Sequence, residues 1–186
     1  SKHEAKEKLN LGGNKFIILF FGLIRAYKGL DILLNALAIL IKKNKNFKLI
    51  IAGECYENID KYNKIIKKNN LNNNILWFNK YIPDDEINVY FSACDLVALP
   101  YKTASQSGII PIAYNYNKPI LASNIDGLKE YVVNGKTGYL FDSLDHNSLS
   151  KSLENISANN CIKLSNYIKK KSEKTENKDH DDHKSP

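Results

Sequence analysis

Methionine is absent from the 186 residues, and the sequence opens on Ser1. An open reading frame starts with Met, so the expectation is a piece of a longer polypeptide. Cysteine is scarce: Cys55, Cys94 and Cys161 are widely spaced and odd in number, which argues against a disulfide frame or a zinc site. Reduced thiols in a cytosol-like compartment are expected instead. No apolar run reaches the ~20 residues a membrane-spanning helix needs. The longest patches, Phe16–Phe21 and Ile32–Ile41, are interrupted or too short, and the opening residues carry no signal-peptide pattern. Several motifs are also missing. No Walker loop is present, no Gly-x-Gly-x-x-Gly follows the first apolar run, and no Gly-x-Ser-x-Gly elbow occurs. These absences argue against a nucleotide hydrolase, a dehydrogenase and a serine hydrolase.

What is present is an ordinary globular composition, 43% hydrophobic, with a formal charge of +7. Lysines scattered among Asn and Ile fit AT-rich coding at least as well as nucleic-acid binding, and no nucleic-acid partner is expected. A basic surface can still draw a protein toward anionic lipid or a phosphorylated ligand. The four histidines lie near the ends or at a helix start, and Asp179–His183 reads as a solvated tail before it reads as a metal site.

Short apolar runs alternate with helical patterns. Strands are expected at Phe16–Phe21, Phe47–Ala52, Ile75–Phe78, Leu96–Leu99, Ile120–Ala122 and Tyr139–Phe141. Between them come helices at Leu30–Lys43, Ile59–Asn70, Pro83 to about Ala93, Ile109–Tyr116, Gly127–Val133 and Ser143–Ile156. Ser1–Leu11 reads as the end of a helix stopped by Gly12-Gly13. Beyond about Asn159 the apolar pattern thins, and Ser172–Pro186 is expected to be disordered. The fold class is therefore α/β: a Rossmann-like parallel sheet of about six strands with helices on both faces. Such sheets bind ligands at the carboxyl ends of their strands, where the strand order switches.

Two strand-end loops stand out. In Asp95–Pro119 a strand ends at Pro100, and the small polar residues Thr103–Ser107 precede Gly108 and an apolar helix. Such a turn presents backbone N–H groups where partial positive charge collects, so phosphate is a natural guest. Gly108 allows close approach, and Ser105, Gln106 and Ser107 add side-chain hydrogen bonds. Taken alone, the stretch reads better as an ordinary capped helix after a strand, since many such helices bind nothing. The second loop, Gly22–Gly29, holds Arg25, the only arginine of the chain, and Lys28. Arginine forks two N–H bonds onto a phosphate and lysine adds a point charge. Both loops lie at carboxyl ends of strands, so one ligand can touch both.

In order and spacing, the sequence resembles the C-terminal, donor-binding half of retaining glycosyltransferases of the GT-B type (family four, group 1). The matching pieces are Phe20–Asp31, Leu49–Glu54, Tyr81–Ile87, Ala93–Pro100, Lys118–Ser123 and Gly127–Leu140. The resemblance implies a nucleotide-sugar-binding domain over 14–158, a helix or linker from a partner domain over 1–13, and a charged tail over 159–186. By composition, and not by the resemblance, the 159–186 tail is expected to be disordered as well as charged. The resemblance implies a UDP- or GDP-linked sugar whose diphosphate meets Arg25 and Lys28, the catalytic candidates, together with Gly22, Ser105, Gln106, Ser107, Gly108 and Ile109. The base would lie near Asn79, Lys80 and Tyr81. No cofactor and no obligatory metal are implied, because fixed cations and helix amides stabilise the leaving diphosphate. The acceptor would be a saccharide or lipid-linked, on the cytoplasmic side with peripheral membrane contact, and an N-terminal domain of the same polypeptide would complete the cleft.

The sequence departs from the family pattern at several places: a common Gly-Arg-Leu triplet is Gly22-Leu23-Ile24 here, with Arg25 two places along, Asp126 stands where a glycine is frequent, and the phosphate turn differs most. Members usually carry two glutamates around the phosphate turn and its helix, but no Asp or Glu occurs here between Asp95 and Asp126. Ile112 stands where the ribose-holding glutamate is usual. Three functions stay open: a transferase donor domain, a non-catalytic nucleotide-sugar-binding module, and a sugar-nucleotide epimerase, which would need acid/base groups not seen at the turn.

Overall fold

The computed structural model describes residues 1–142 and 144–181, with side chains through Lys174. Six parallel strands form one sheet: β1 (Phe16–Phe21), β2 (Phe47–Ala52), β3 (Ile75–Phe78), β4 (Leu96–Leu99), β5 (Ile120–Ser123) and β6 (Gly138–Phe141). The helices are α1 (Lys2–Lys8), α2 (Leu30–Lys42), α3 (Asp60–Lys68), α4 (Asp84–Ala93), α5 (Ile109–Asn115), α6 (Asp126–Lys129), α7 (His146–Asn155) and α8 (Ala158–Asp181). The strand order is β3-β2-β1-β4-β5-β6, so the order reverses between β1 and β4.

The continuous apolar strands follow from burial on both faces. Along β1, Ile18 and Phe20 point into one core with α2, α3 and α7, where Leu33, Leu37, Tyr62 and Leu149 meet them. Ile17, Leu19 and Phe21 point into the other, with Phe91, Ala113 and Leu128. The alternation is the strand period of two written into two cores. Pro111 sits in the first turn of α5, where a missing N–H costs no intrahelical bond.

The two end segments pack onto the domain. The helix expected before Gly12-Gly13 is present: a capping box of Ser1 and Glu4 starts α1, and Ala5, Leu9 and Leu11 belong to the second core. The 159–186 tail, contrary to expectation, is not uniformly unstructured, since α8 runs from Ala158 to Asp181 with Cys161, Leu164 and Ile168 buried. Three apolar residues in a lysine-rich stretch make a narrow stripe at helical spacing, easily overlooked by mean hydropathy. Ile168 faces a cavity of about 400 Å³ that it shares with Pro111, Tyr114 and Thr137. Residues 182–186 lie outside the described residues. No helix among the described residues is long and apolar enough to cross a membrane.

Candidate functional site

At the end of β1 the chain turns on Gly22, whose φ is +99°. The turn runs beside the end of β2: Ile24 N donates to Glu54 O at 2.9 Å, and Tyr56 N donates to Ile24 O at 3.1 Å. A short 3-10 turn, Ala26–Lys28, then leads to Gly29 at φ +69°. A Cβ on Gly29 would stand 1.9 Å from Pro100 O, so glycine is what lets this loop lie against the end of β4. Two further contacts join the loops: Lys102 N donates to Tyr27 O at 2.6 Å, and Lys102 Nζ pairs with Asp31 Oδ2 at 2.8 Å.

The two candidate loops therefore meet. A methyl group on Gly22 would lie 3.1 Å from Lys28 Nζ and 3.4 Å from Ile109 Cδ1. Lys28 is only 8% exposed, and no carboxylate pairs with it among the described residues. Its ammonium faces the Tyr101 ring, 5.8 Å from Nζ to the centroid. Burial first, and the charge of Arg25 second, lower the pKa of Lys28. A buried cation without a counter-ion is costly, and an anion beside Gly22 would relieve that cost.

Across the gap, Ser107 Oγ accepts from Ile109 N at 3.3 Å and lies 3.4 Å from the Tyr101 hydroxyl. Burial pushes the Tyr101 phenol up to about 12, so it remains a hydrogen-bond donor at neutral pH. The N–H groups of Ser105, Gln106, Ser107 and Gly108 donate to no acceptor among the described residues. Gly127 braces the turn from behind, where a Cβ would be 2.2 Å from Ala104 O.

The remaining candidates lie along the same rim. The exposed Arg25 guanidinium sits 5.2 Å from the Tyr56 ring centroid, and Tyr56 donates its hydroxyl to Glu54 Oε2 at 3.1 Å. Asn79 is committed through Oδ1 to Cys55 N at 2.8 Å, and Lys80 pairs with Glu86 at 2.7 Å. Tyr81 is 65% exposed. Asn79–Tyr81 follow the edge strand β3, two strands from Gly22. Tyr101, Tyr56 and Glu54 stood outside the sequence-derived candidates. The available signal was an acid just past a strand end, in Ala52-Gly53-Glu54. Ile112, in place of a carboxylate, packs against the second core. Among the described residues no group of three His, Cys, Asp or Glu is placed to hold a metal. Asp179–His183 fall outside the described side chains.

A doubly wound α/β sheet whose strand order reverses between β1 and β4, with the loop carrying Lys28 at that switch point, defines a Rossmann-type domain. The family of glycosyl transferases group 1 matches residues 1–175, and the chain belongs to it. Among its relatives are an uncharacterized glycosyltransferase of Methanocaldococcus jannaschii, 29% identical over 148 residues, covering 80% of this chain and 40% of that protein. Another is the lipopolysaccharide 1,2-N-acetylglucosaminetransferase of Salmonella typhimurium, 28% identical over 141 residues, covering 72% of this chain and 37% of that protein. The chain thus spans about 40% of the length of these relatives. The fold is that of the C-terminal half of GT-B proteins. The C-terminal domain of a Francisella tularensis glycosyl transferase group 1 family protein superposes with TM-score 0.79 at 18% identity, over 90% of this chain and 89% of that one. An Anabaena protein crystallised with UDP and glucose superposes with TM-score 0.78 at 21% identity, over 90% of this chain and 45% of that one.

Proposed function

We propose that this chain is the donor-binding domain of a retaining glycosyltransferase, taking a UDP- or GDP-linked hexose. The observation that carries the reading is Lys28: a buried ammonium with no carboxylate partner among the described residues, beside Gly22 and the start of α5. The donor diphosphate bridges Lys28 and the Ser105–Gly108 turn, with Arg25 on the solvent side. Fixed cations and amides then stabilise charge on the leaving diphosphate without a resident metal. The donor phosphate itself assists deprotonation of the acceptor hydroxyl, so no enzyme nucleophile is required. The acceptor, a saccharide or a lipid-linked one, is met by a further domain of the polypeptide on the cytoplasmic side of a membrane, and this domain alone binds donor without turning it over.

Calorimetric titration with UDP, GDP and ADP, with and without EDTA, tests this. Saturable binding to one of them, insensitive to EDTA and weakened by Arg25→Ala and Lys28→Ala, is expected. Absence of binding to all three refutes it. The lack of any Asp or Glu between Asp95 and Asp126 favours, as second reading, a non-catalytic nucleotide-sugar-binding module. Donor turnover by the full polypeptide distinguishes the two.

A further inference from the structure

A nucleoside diphosphate held at Gly22 and Lys28 with its base toward Asn79–Tyr81 must cross β2. Strands lie about 4.8 Å apart, so β1 to β3 is about 10 Å, and the ribose falls midway. Glu54 follows the end of β2, the strand between β1 and β3. Its backbone is fixed on both sides: Glu54 O accepts from Ile24 N in the β1 loop, and the next residue, Cys55, donates its N–H to Asn79 Oδ1 in the β3 loop. Glu54 Oε2 accepts from Tyr56, while Oε1 has no donor among the described residues. Of the neighbouring carboxylates, Glu57 is engaged by Lys61 and Tyr62, and Asp31 is held by Lys102 through Oδ2 while its Oδ1 is buried on helix α2 without a hydrogen bond among the described residues. A carboxylate at the carboxyl end of the second strand is also where doubly wound sheets of this strand order read a ribose diol.

Resting on the donor-binding reading above, the geometry points to Glu54 as a ribose subsite, with Tyr56 as its positioning residue. The Glu54 carboxylate accepts the ribose 2′- or 3′-hydroxyl through Oε1. Tyr56 holds Oε2 and carries the Arg25 guanidinium on its ring, so the ribose contact and the phosphate contact share one support. The diol recognition that no acid near α5 supplies is thereby moved to the β2 loop.

The test compares the tightest-binding of UDP, GDP and ADP with its 2′-deoxy and 3′-deoxy counterparts and with inorganic pyrophosphate. Wild-type protein should lose about 10-fold in affinity with at least one deoxy form. Glu54→Gln should bring all three nucleotides within about twofold of one another and leave pyrophosphate affinity unchanged. Tyr56→Phe should erode the discrimination in the same direction. A Glu54→Gln protein that keeps the full ribo-over-deoxy preference overturns the assignment, as does a wild-type protein without such a preference. If neither a nucleotide nor pyrophosphate binds, the donor-binding reading itself falls and the subsite with it.

Discussion

Replacing Lys28 by methionine separates a binding residue from a structural one. The ammonium is buried with no carboxylate partner among the described residues, and its burial lowers its pKa. In the free protein this cation is a liability. Below its depressed folded-state pKa the penalty is present in full, and stability rises with pH between that value and the ordinary lysine pKa. Methionine fills a similar volume without the charge. Removing a buried, uncompensated ion in this way gains about 2 kcal/mol, and losing the contact with the Tyr101 ring gives back about 1 kcal/mol. The net is about 1 kcal/mol of stabilisation, a rise of about 2–4 °C in Tm. Binding moves the other way. A hydrogen bond from a charged group is worth about 1.5–3 kcal/mol, so nucleotide diphosphate affinity should fall about 10- to 150-fold. Thermal denaturation of free Lys28→Met protein, repeated with the nucleotide at 100 times the wild-type Kd, reads both effects. Wild type should gain about 2.7 kcal/mol from ligand and the variant much less. A variant less stable than wild type that binds nucleotide undiminished would show that Lys28 is packing and not an anion site.

Affinity for the diphosphate should also fall as pH rises, at a pH below the ordinary lysine range, because the bound form needs Lys28 protonated; isothermal titration across alkaline buffers measures it. Gly29→Ala should cost at least about 3 kcal/mol in denaturant unfolding, since its Cβ would meet Pro100 O at 1.9 Å in a left-handed turn. Leu164→Ala should cost about 2–4 kcal/mol if α8 is part of the domain, and a loss under about 0.5 kcal/mol would detach it. Thiol titration should label Cys55 in the native protein. Cys94 and Cys161, with thiols pushed by burial up to about 12, should react only on unfolding.

Much of the fold was legible residue by residue. Phe16–Phe21, Phe47–Ala52, Ile75–Phe78 and Leu96–Leu99 are strands with the bounds read from their apolar runs. A strand buried on both faces leaves an unbroken hydrophobic signal, and the intervening helices leave a period of 3.6. Helix ends were less legible: α6 stops at Lys129, short of Val133, because capping and tertiary contacts set the last turn. Helix α8 was missed because its burial depends on a few residues meeting a surface that composition does not describe.

The sequence by itself determined an alternating α/β chain, because periodicity is a local property, and it placed a cationic loop after the first strand and a polar glycine turn after the fourth. Only the tertiary structure decided that those loops adjoin, since the neighbours of a strand are chosen by crossover connections and not by local residues. The same long-range packing buried Lys28 away from any carboxylate among the described residues, engaged Asn79 with Cys55, and tied the Glu54 backbone to the β1 loop. Distances across a sheet arise from how the layers pack, and no single segment encodes them.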